Sequence, residues 1–345
     1  MKIELFDYDL PPELIAQYPS RKRDQSRLLV LNRATGKTEI THFNAVVDFL
    51  QPGDGLVVNR TKVFKARLNG RRATGARVEL FLVRPDATGD PLEWLALVSP
   101  SRRVKPGESV LFDEDRVELI EYYGDGRWRV RFRSDSSRRR IISRCGHVPL
   151  PHYIRRDDLP TDIRRYQTVF ADAERVGAVA APTAGFHFTR PLLKKLETKR
   201  IERIEICLHV GPGTFKPVSV DRIEDHTVDP EMAELDISAA KAINKVRERG
   251  GKIWAVGTTS VRTLESAPIK NGKIQPFEGM VDLYIRPGHE FRVVDHLITN
   301  FHLPKSSLII LVAAFAGRER VLEAYREAVA AQMRFYSYGD AMLIL

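Results

Sequence analysis

Arg127-Trp128-Arg129-Val130-Arg131-Phe132-Arg133 alternates a basic with an apolar residue at every step. A period of two places alternate side chains on opposite faces of a strand. One face is therefore expected to enter a core, and the other to present four arginines. The same period runs through Ala76-Arg77-Val78-Glu79-Leu80-Phe81-Leu82-Val83 and Glu93-Trp94-Leu95-Ala96-Leu97-Val98, and Ser109-Val110-Leu111-Phe112 adds a shorter run. Several short strands so spaced indicate a small antiparallel β-barrel between about 63 and 133.

On either side the pattern is mixed. Upstream, Leu28-Leu29-Val30-Leu31 reads as a strand and Asn44 to Leu50 as a short helix. Pro52-Gly53-Asp54-Gly55 reads as a turn into the strand Leu56-Val57-Val58. After Pro149-Leu150-Pro151, helices are expected near 190–200, 238–249, 259–266, 306–316 and 319–334, and strands near 203–210, 252–257, 281–285, 296–301 and 341–345. Ser238 reads as the cap of the second of these helices and Gly250-Gly251 as its stop. The expected architecture is a mixed α/β catalytic domain built from both chain ends, 1–59 and 151–345, with the barrel, 60–150, inserted into it.

The 345 residues carry 43% apolar and 29% charged side chains, the composition of a globular protein. The longest apolar run, Leu308 to Phe315, is far short of a membrane span, and Met1 to Glu13 lacks a basic-then-apolar leader. Cys145 and Cys207 stand in unrelated contexts, which points to reduced thiols, a cytoplasmic location and no zinc spacing. Net charge is +10, and 60–150 hold 20 Lys and Arg against 12 Asp and Glu, a net of +8. Arg60, Lys62, Lys65, Arg67, Arg71, Arg72 and Arg77 follow one another with no intervening acid, a run suited to nucleic acid.

Two segments crowd Gly, Pro, hydroxyl and imidazole groups: Ala181-Pro182-Thr183-Ala184-Gly185-Phe186-His187-Phe188-Thr189 and Leu208-His209-Val210-Gly211-Pro212-Gly213-Thr214-Phe215. Glycine permits close backbone approach and His titrates near neutrality, so both read as walls of an active site. Lys252 to Ser266 reads as a strand, a Gly turn and a helix start dense in hydroxyls, where free N–H groups can hold an anion and Arg262 could clamp a carboxylate. It lacks both the dinucleotide and the Walker glycine patterns. Asp225-His226 with Glu231 forms an acidic–imidazole cluster, in which the carboxylate is expected to raise the imidazole pKa. Asn300 and His302 share a side if that segment is extended, and Phe335 to Met342 adds aromatic and acidic groups. The nine histidines show no metal-ligand spacing, and no G-x-S-x-G elbow is present.

These segments together resemble one family, the S-adenosylmethionine:tRNA ribosyltransferase-isomerases of queuosine biosynthesis. The resemblance also rests on Phe6-Asp7-Tyr8-Asp9-Leu10-Pro11 with Leu14-Ile15-Ala16-Gln17, on Arg23-Asp24 with Ser26-Arg27-Leu28-Leu29, on Gly146 to Pro151, on Tyr166-Gln167-Thr168-Val169, and on Leu297 to Pro304 and Tyr336 to Met342. It implies transfer and isomerisation of the ribosyl part of S-adenosylmethionine onto 7-aminomethyl-7-deazaguanine at the wobble position of tRNA. The product would be epoxyqueuosine, with adenine and methionine released. It further implies a consumed cosubstrate, no metal and no permanently bound cofactor. The partner would be tRNA with G at the wobble position (anticodon GUN), no membrane would be involved, and the enzyme would be a monomer.

Such chemistry needs a base for the carbon beside the sulfonium and a proton for departing adenine. The candidates are His187, His209, Asp225, His226, Glu231, His302 and Asp340. Gly211, Gly213 and Thr214, with Gly257, Thr258, Thr259, Ser260 and Arg262, are the candidates for holding the cosubstrate. The basic barrel and Arg21, Lys22, Arg23 and Arg27 would take the anticodon stem. The chain departs from the family at Asp229, where a second His is usual. It departs again at Arg60 and Lys62 in the usual Asn-Asp-Thr-Arg-Val, at Pro212 where Ala is usual, and at Arg286 where Tyr is common. Two rival readings are a catalytically silent tRNA binder and an enzyme acting on another nucleic acid or a free base. The basic barrel disfavours a free base.

Overall fold

The computed structural model of the chain describes residues 1–215 and 218–345, without the side chains of Thr214 and Phe215. Strand Gly55–Asn59 is buried at every position, as is Ile253–Val256. Unbroken burial means that both sheet faces are covered. These strands lie at the centre of a mixed sheet. Among the described residues its order is Phe277–Val281, Glu231–Leu235, Glu202–Leu208, Gly55–Asn59, Ile253–Val256, His296–Asn300, Ala341–Ile344, Arg27–Leu31 and Thr38–His42. The run from Glu202–Leu208 to His296–Asn300 is parallel, and the outer pairings are antiparallel except that of Arg27–Leu31 with Ala341–Ile344.

Alternation divides each strand between two cores. Val57, Ile253 and Ala255 face helices Ile237–Glu248, Thr258–Ser266, Ser307–Ala316 and Arg318–Ala330. Leu56, Val58, Trp254 and Val256 face helix Arg190–Thr198 and the short Val46–Phe49. The turn at 52–55 is fixed by Asp54, whose carboxylate accepts from Gln51 N–H (2.9 Å), Lys252 N–H (2.8 Å) and Trp254 Nε1–H (2.9 Å). A buried carboxylate with three donors costs little, and the indole that it anchors fills the second core.

The barrel runs Arg67–Arg71, Arg77–Pro85, Glu93–Ser99, Arg127–Phe132, Asp115–Gly124 and Ser109–Phe112, and closes where Arg71 meets Leu111. Leu80, Leu82, Ala96, Trp128, Val130 and Phe132 fill it. At Gly70 any Cβ would lie 2.6 Å from Val110 and 2.8 Å from the Phe112 ring, so closure requires glycine there. Helix Asp135–Cys145, capped by Ser134, sets Ile141 against the same core.

The expected fold class is therefore observed, with local differences. Two further strands complete the barrel: Arg67–Arg71 offers one bulky apolar side chain, Leu68, and in Asp115–Gly124 Val117 and Leu119 alternate with charged residues and enter the core. Helix Asp135–Cys145 is arginine-rich and buries only Ser137 and Ile141. The strand expected at 281–285 is Phe277–Val281 instead: its ladder partner Glu231–Leu235 stops opposite Val281, where Pro230 has no N–H to extend the pairing, and Arg262 donates to the carbonyls of Val281 and Leu283. Asp236, not Ser238, caps the helix that follows it: its Oδ1 accepts from Ala239 N–H and from the Ser238 hydroxyl.

The arginine face of 127–133 also differs from expectation. Arg127 pairs with Asp229, Arg129 with Glu93 and Glu121, and Arg131 with Asp90. In the basic run at 60–77, Arg60, Arg67 and Arg72 pair with Asp236, Glu79 and Glu108. Acids distant in sequence neutralise much of what reads as free charge.

Candidate active site

The parallel strands end at Asn59, Leu208, Val256 and Asn300, and the loops with reactive residues leave from these ends. Open α/β sheets place their ligands at this edge. Asn59 ties two of the ends together: its Oδ1 accepts from Leu208 N–H and Thr61 N–H (both 3.1 Å), and its Nδ2 donates to the Leu208 carbonyl (2.9 Å). Thr61, so placed, brings its hydroxyl to His209 Nδ1 at 2.7 Å. Burial first and Arg175 second push the His209 pKa below the ordinary histidine value, so the imidazole is neutral near pH 7. Its ring packs over Gly177, where a Cβ would approach it to 2.9 Å.

The loop after His209 is held by Glu231. Gly211 N–H donates to Glu231 Oε1 (2.7 Å), while Oε2 pairs with Arg262 Nη1. Arg262 also donates from Nη2 to the Val281 carbonyl (3.0 Å) and from Nε to the Leu283 carbonyl (3.2 Å). Glu231 and Arg262 are 4% and 8% exposed. Arg262 is thereby committed to protein groups along both edges of its guanidinium, which removes the expected clamp on a ligand carboxylate.

Helix Thr258–Ser266 starts at Gly257, whose φ of 85° suits glycine. Gly257, Thr258 and Thr259 line a cavity of about 50 Å³ with Thr183, Asn300 and His302. The buried Thr259 Oγ1 has no hydrogen-bond partner among the described residues. Ser260, by contrast, turns its hydroxyl back to the Val256 carbonyl (2.8 Å) and is absent from the lining.

His302 Nε2 meets Thr299 Oγ1 at 2.9 Å, and burial pushes its pKa down to about 3. Strand pairing stops at Asn300, so His302 reaches the same cavity as Asn300 from the irregular segment after the strand.

His187 does not line this cavity. Asn300 Nδ2 donates to the Tyr336 carbonyl (3.2 Å), which fixes the amide orientation. The same Nδ2 donates to His187 Nε2 (3.0 Å), leaving Nδ1–H to donate to Ser26 Oγ (2.6 Å). Both ring nitrogens are occupied, and burial pushes the pKa to about 3. Asp340 lines none of the cavities described here. Its carboxylate accepts from Arg27 N–H (2.9 Å) and Arg334 N–H (2.8 Å) and joins two chain segments.

A larger groove of about 910 Å³ separates barrel from sheet. His209, Gly211, Glu231 and Asp229 line one side, and Phe64, Trp94, Arg127 and Arg138 line the other. A third cavity, about 380 Å³, holds Gly213, Asp225, His226, Asp229 and Arg262. The loop 209–213 thus borders all three spaces, Val210 facing the small one. Asp225 is exposed. His226 packs edge-on against Tyr284 (5.2 Å between ring centres); burial lowers its pKa and outweighs Asp229, which raises it as a carboxylate is expected to, so the net shift is opposite to the expected one. Gly213 abuts Asp229, and the Thr214 side chain lies outside the described residues.

Asn59, Thr61, Trp94 and Arg127 were not singled out as site residues from sequence. Asn59 and Thr61 stand in the altered 59–63 motif, a usable signal, and Arg127 stands in the alternating basic strand; nothing local distinguishes Trp94.

The family model described as "Queuosine biosynthesis protein" matches residues 3–344. The S-adenosylmethionine:tRNA ribosyltransferase-isomerase of Aquifex aeolicus is 48% identical over 349 residues, and that of Trichlorobacter lovleyi 46% over 346, each covering all of both chains. The crystal structure of the S-adenosylmethionine tRNA ribosyltransferase from Thermotoga maritima aligns at 38% identity with a TM-score of 0.56, over 99% of this chain and 100% of that one. With matches running from end to end, loops and barrel included, the chain belongs to the queuosine biosynthesis family and is an enzyme of the S-adenosylmethionine:tRNA ribosyltransferase-isomerase class.

Proposed function

We propose that this enzyme transfers and isomerises the ribosyl moiety of S-adenosylmethionine onto 7-aminomethyl-7-deazaguanine at the wobble position of tRNA, giving epoxyqueuosine and releasing adenine and methionine. The observation that carries the reading is the groove between barrel and sheet. It has room for a nucleoside, and a neutral imidazole and carboxylates stand along one wall. Phe64 and Trp94 pack edge-to-face at 5.9 Å on the opposite wall, and aromatic surfaces suit an unstacked base.

His209 is the favoured proton acceptor for the carbon beside the sulfonium, because it is neutral at working pH and oriented by Thr61. Glu231 serves as a positioning residue: it fixes Gly211, and with it the loop that carries His209. The methionine carboxylate is assigned to the helix start at Thr258 and Thr259, where the orphaned Thr259 hydroxyl awaits a polar group. His302, neutral and in the same cavity, adds a polar contact. His226 and Asp225 border the third cavity, from which adenine could be protonated. The 60–150 unit would contact tRNA with anticodon GUN.

The test is purified protein with S-adenosylmethionine and tRNA bearing the 7-aminomethyl base. Adenine release in step with the epoxycyclopentane mass on the nucleoside is expected. Tight tRNA binding without adenine would overturn the reading in favour of a silent binder. His209→Asn is expected to lower turnover at least 100-fold while leaving tRNA affinity unchanged.

A further inference from the structure

Segments 17–23 and 155–165 are far apart in sequence yet interlocked. Gln17 donates to the Tyr153 carbonyl (2.8 Å) and accepts from Arg155 N–H (2.7 Å). Arg156 donates to the Gln17 carbonyl (3.0 Å), and Arg165 donates to the carbonyls of Ser20 and Arg21. Arg23 lies beneath them and reaches the carbonyls of Phe186, Arg164 and Gln167. Arg27 turns inward to the Ala331 carbonyl. Arg23 and Arg27, expected to meet RNA, are thus spent on the fold.

What they support is a different set of cations. Arg21, Lys22, Arg155 and Arg164 are exposed, Arg165 is partly so, and none of the five makes an ion pair among the described residues. The acids of these segments are mostly occupied. Asp162 holds Arg156 and the Tyr338 hydroxyl, Asp158 holds His147, and Asp24 accepts from Thr189; Asp157 is the exposed one. Tyr18 stands out from this surface at 59% exposure, with the Arg156 guanidinium over its ring at 4.6 Å. An aromatic ring fixed by a guanidinium among uncompensated cations is the make-up of a single-stranded or loop RNA platform. A protein partner would leave these charges to be matched one by one, whereas a phosphate backbone meets all of them.

We propose that this surface is a tRNA contact on the sheet domain, with phosphates on Arg21, Lys22, Arg155, Arg164 and Arg165 and a base or ribose on Tyr18. It rests on the tRNA reading above and adds a second anchor besides the barrel. The anchor is mechanically close to the site, since Tyr153 and the segment before Phe186 line the small cavity.

The experiment measures tRNA affinity by fluorescence anisotropy between 50 and 200 mM salt for wild type and Arg21→Ala/Lys22→Ala/Arg164→Ala. The triple variant is expected to bind at least about tenfold more weakly at the low-salt end. Its log–log salt slope should be shallower by about 2 to 3, with melting temperature and S-adenosylmethionine affinity unchanged. Arg21→Lys/Arg164→Lys should keep the slope; Tyr18→Ala should weaken binding about tenfold and Tyr18→Phe should not. A wild-type slope in the triple variant overturns the proposal. Should wild type bind tRNA through this surface yet release no adenine, the surface stands and the reaction assignment falls. Adenine release with an unchanged triple-variant slope gives the converse.

Discussion

Replacing Glu231 by Ala removes the carboxylate that neutralises Arg262 and frees the Gly211 amide. With Arg262 only 8% exposed, the guanidinium cannot recover its lost partner from solvent. Breaking a buried pair from one side costs about 3–5 kcal/mol. The two carbonyls of Val281 and Leu283 continue to accept from Arg262, which places the expectation at the lower end, about 3 kcal/mol. For a chain of this length the unfolding entropy is about 0.7 kcal/mol/K, so the melting temperature should fall by about 4 °C. The partner variant Glu231→Leu/Arg262→Met removes both charges and should recover part of that loss, since no lone buried charge remains, while Gly211 N–H and the carbonyls of Val281 and Leu283 lose their side-chain partners. Thermal unfolding by circular dichroism, with urea midpoints as a check, reads both. A shift below 1 °C for Glu231→Ala would refute the claim that this pair is held by charge. A double variant no better than the single one would instead locate the loss in the released 211 loop. Turnover should fall in both variants, since neither restores the acceptor for Gly211.

Further outcomes follow from other parts of the site. His187 and His302, with folded-state pKa values near 3, are neutral when folded and gain protons on unfolding below the ordinary value of 6.5. Their stability contribution is intact above pH 6.5 and is lost as pH falls toward 3, at about 1.4 kcal/mol per pH unit for each; His302→Gln should flatten the urea-midpoint profile between pH 6 and 4 by one such step. Gly257→Ala, forced to hold φ at 85°, should cost about 1 kcal/mol or more in denaturant melts and weaken S-adenosylmethionine binding by calorimetry. Asp236→Ala deletes the cap of helix Ile237–Glu248 and should cost about 1 kcal/mol with turnover unchanged.

The parts of the molecule that were legible in the sequence are those set by local period and composition. Trp128, Val130 and Phe132 enter the barrel as their spacing requires, and the strands 55–59 and 253–256 lie near where apolar runs place them. The two Gly–Pro–His segments do border the cavities, as their unusual composition suggested. What a linear reading lacked was the identity of distant partners. His187 and His209 look alike in sequence, each in a flexible segment. Asn300 and Ser26 occupy both nitrogens of the first, whereas the second has Thr61 on Nδ1 and only the weakly bonding Cys207 Sγ, at 3.8 Å, on Nε2 at the edge of a groove. Asp340 has the residue type of a general acid, and only its two amide donors reveal it as a staple. Arg262 and the segment 281–285 show the same limit: the guanidinium reads as free in sequence, yet it donates to the carbonyls of Val281 and Leu283 where the strand has run out of a ladder partner.

Position 229 shows how a departure from the family pattern is absorbed. An aspartate stands where the family commonly has histidine, and its carboxylate points to Arg127 of the barrel at 3.0 Å. Both side chains are well exposed, 40% and 37%, so the pair adds at most about 1 kcal/mol to stability and is screened by salt. Its position matters more than its strength. Arg127 and Asp229 line both the large groove and the third cavity, so this contact stands between the two spaces. Arg127 also belongs to the strand whose other arginines are already neutralised by barrel acids, so without Asp229 it would be the unneutralised arginine of that strand next to the groove. The substitution removes an imidazole from the site and at the same time cancels a cation. The groove keeps His209 as its neutral imidazole, and an RNA entering it as proposed would meet one unpaired cation fewer. A chain with Asp229→His would restore the imidazole and release Arg127, and should bind tRNA more tightly at low salt with little change in melting temperature. An unchanged tRNA affinity in that variant would mean that Arg127 faces no phosphate.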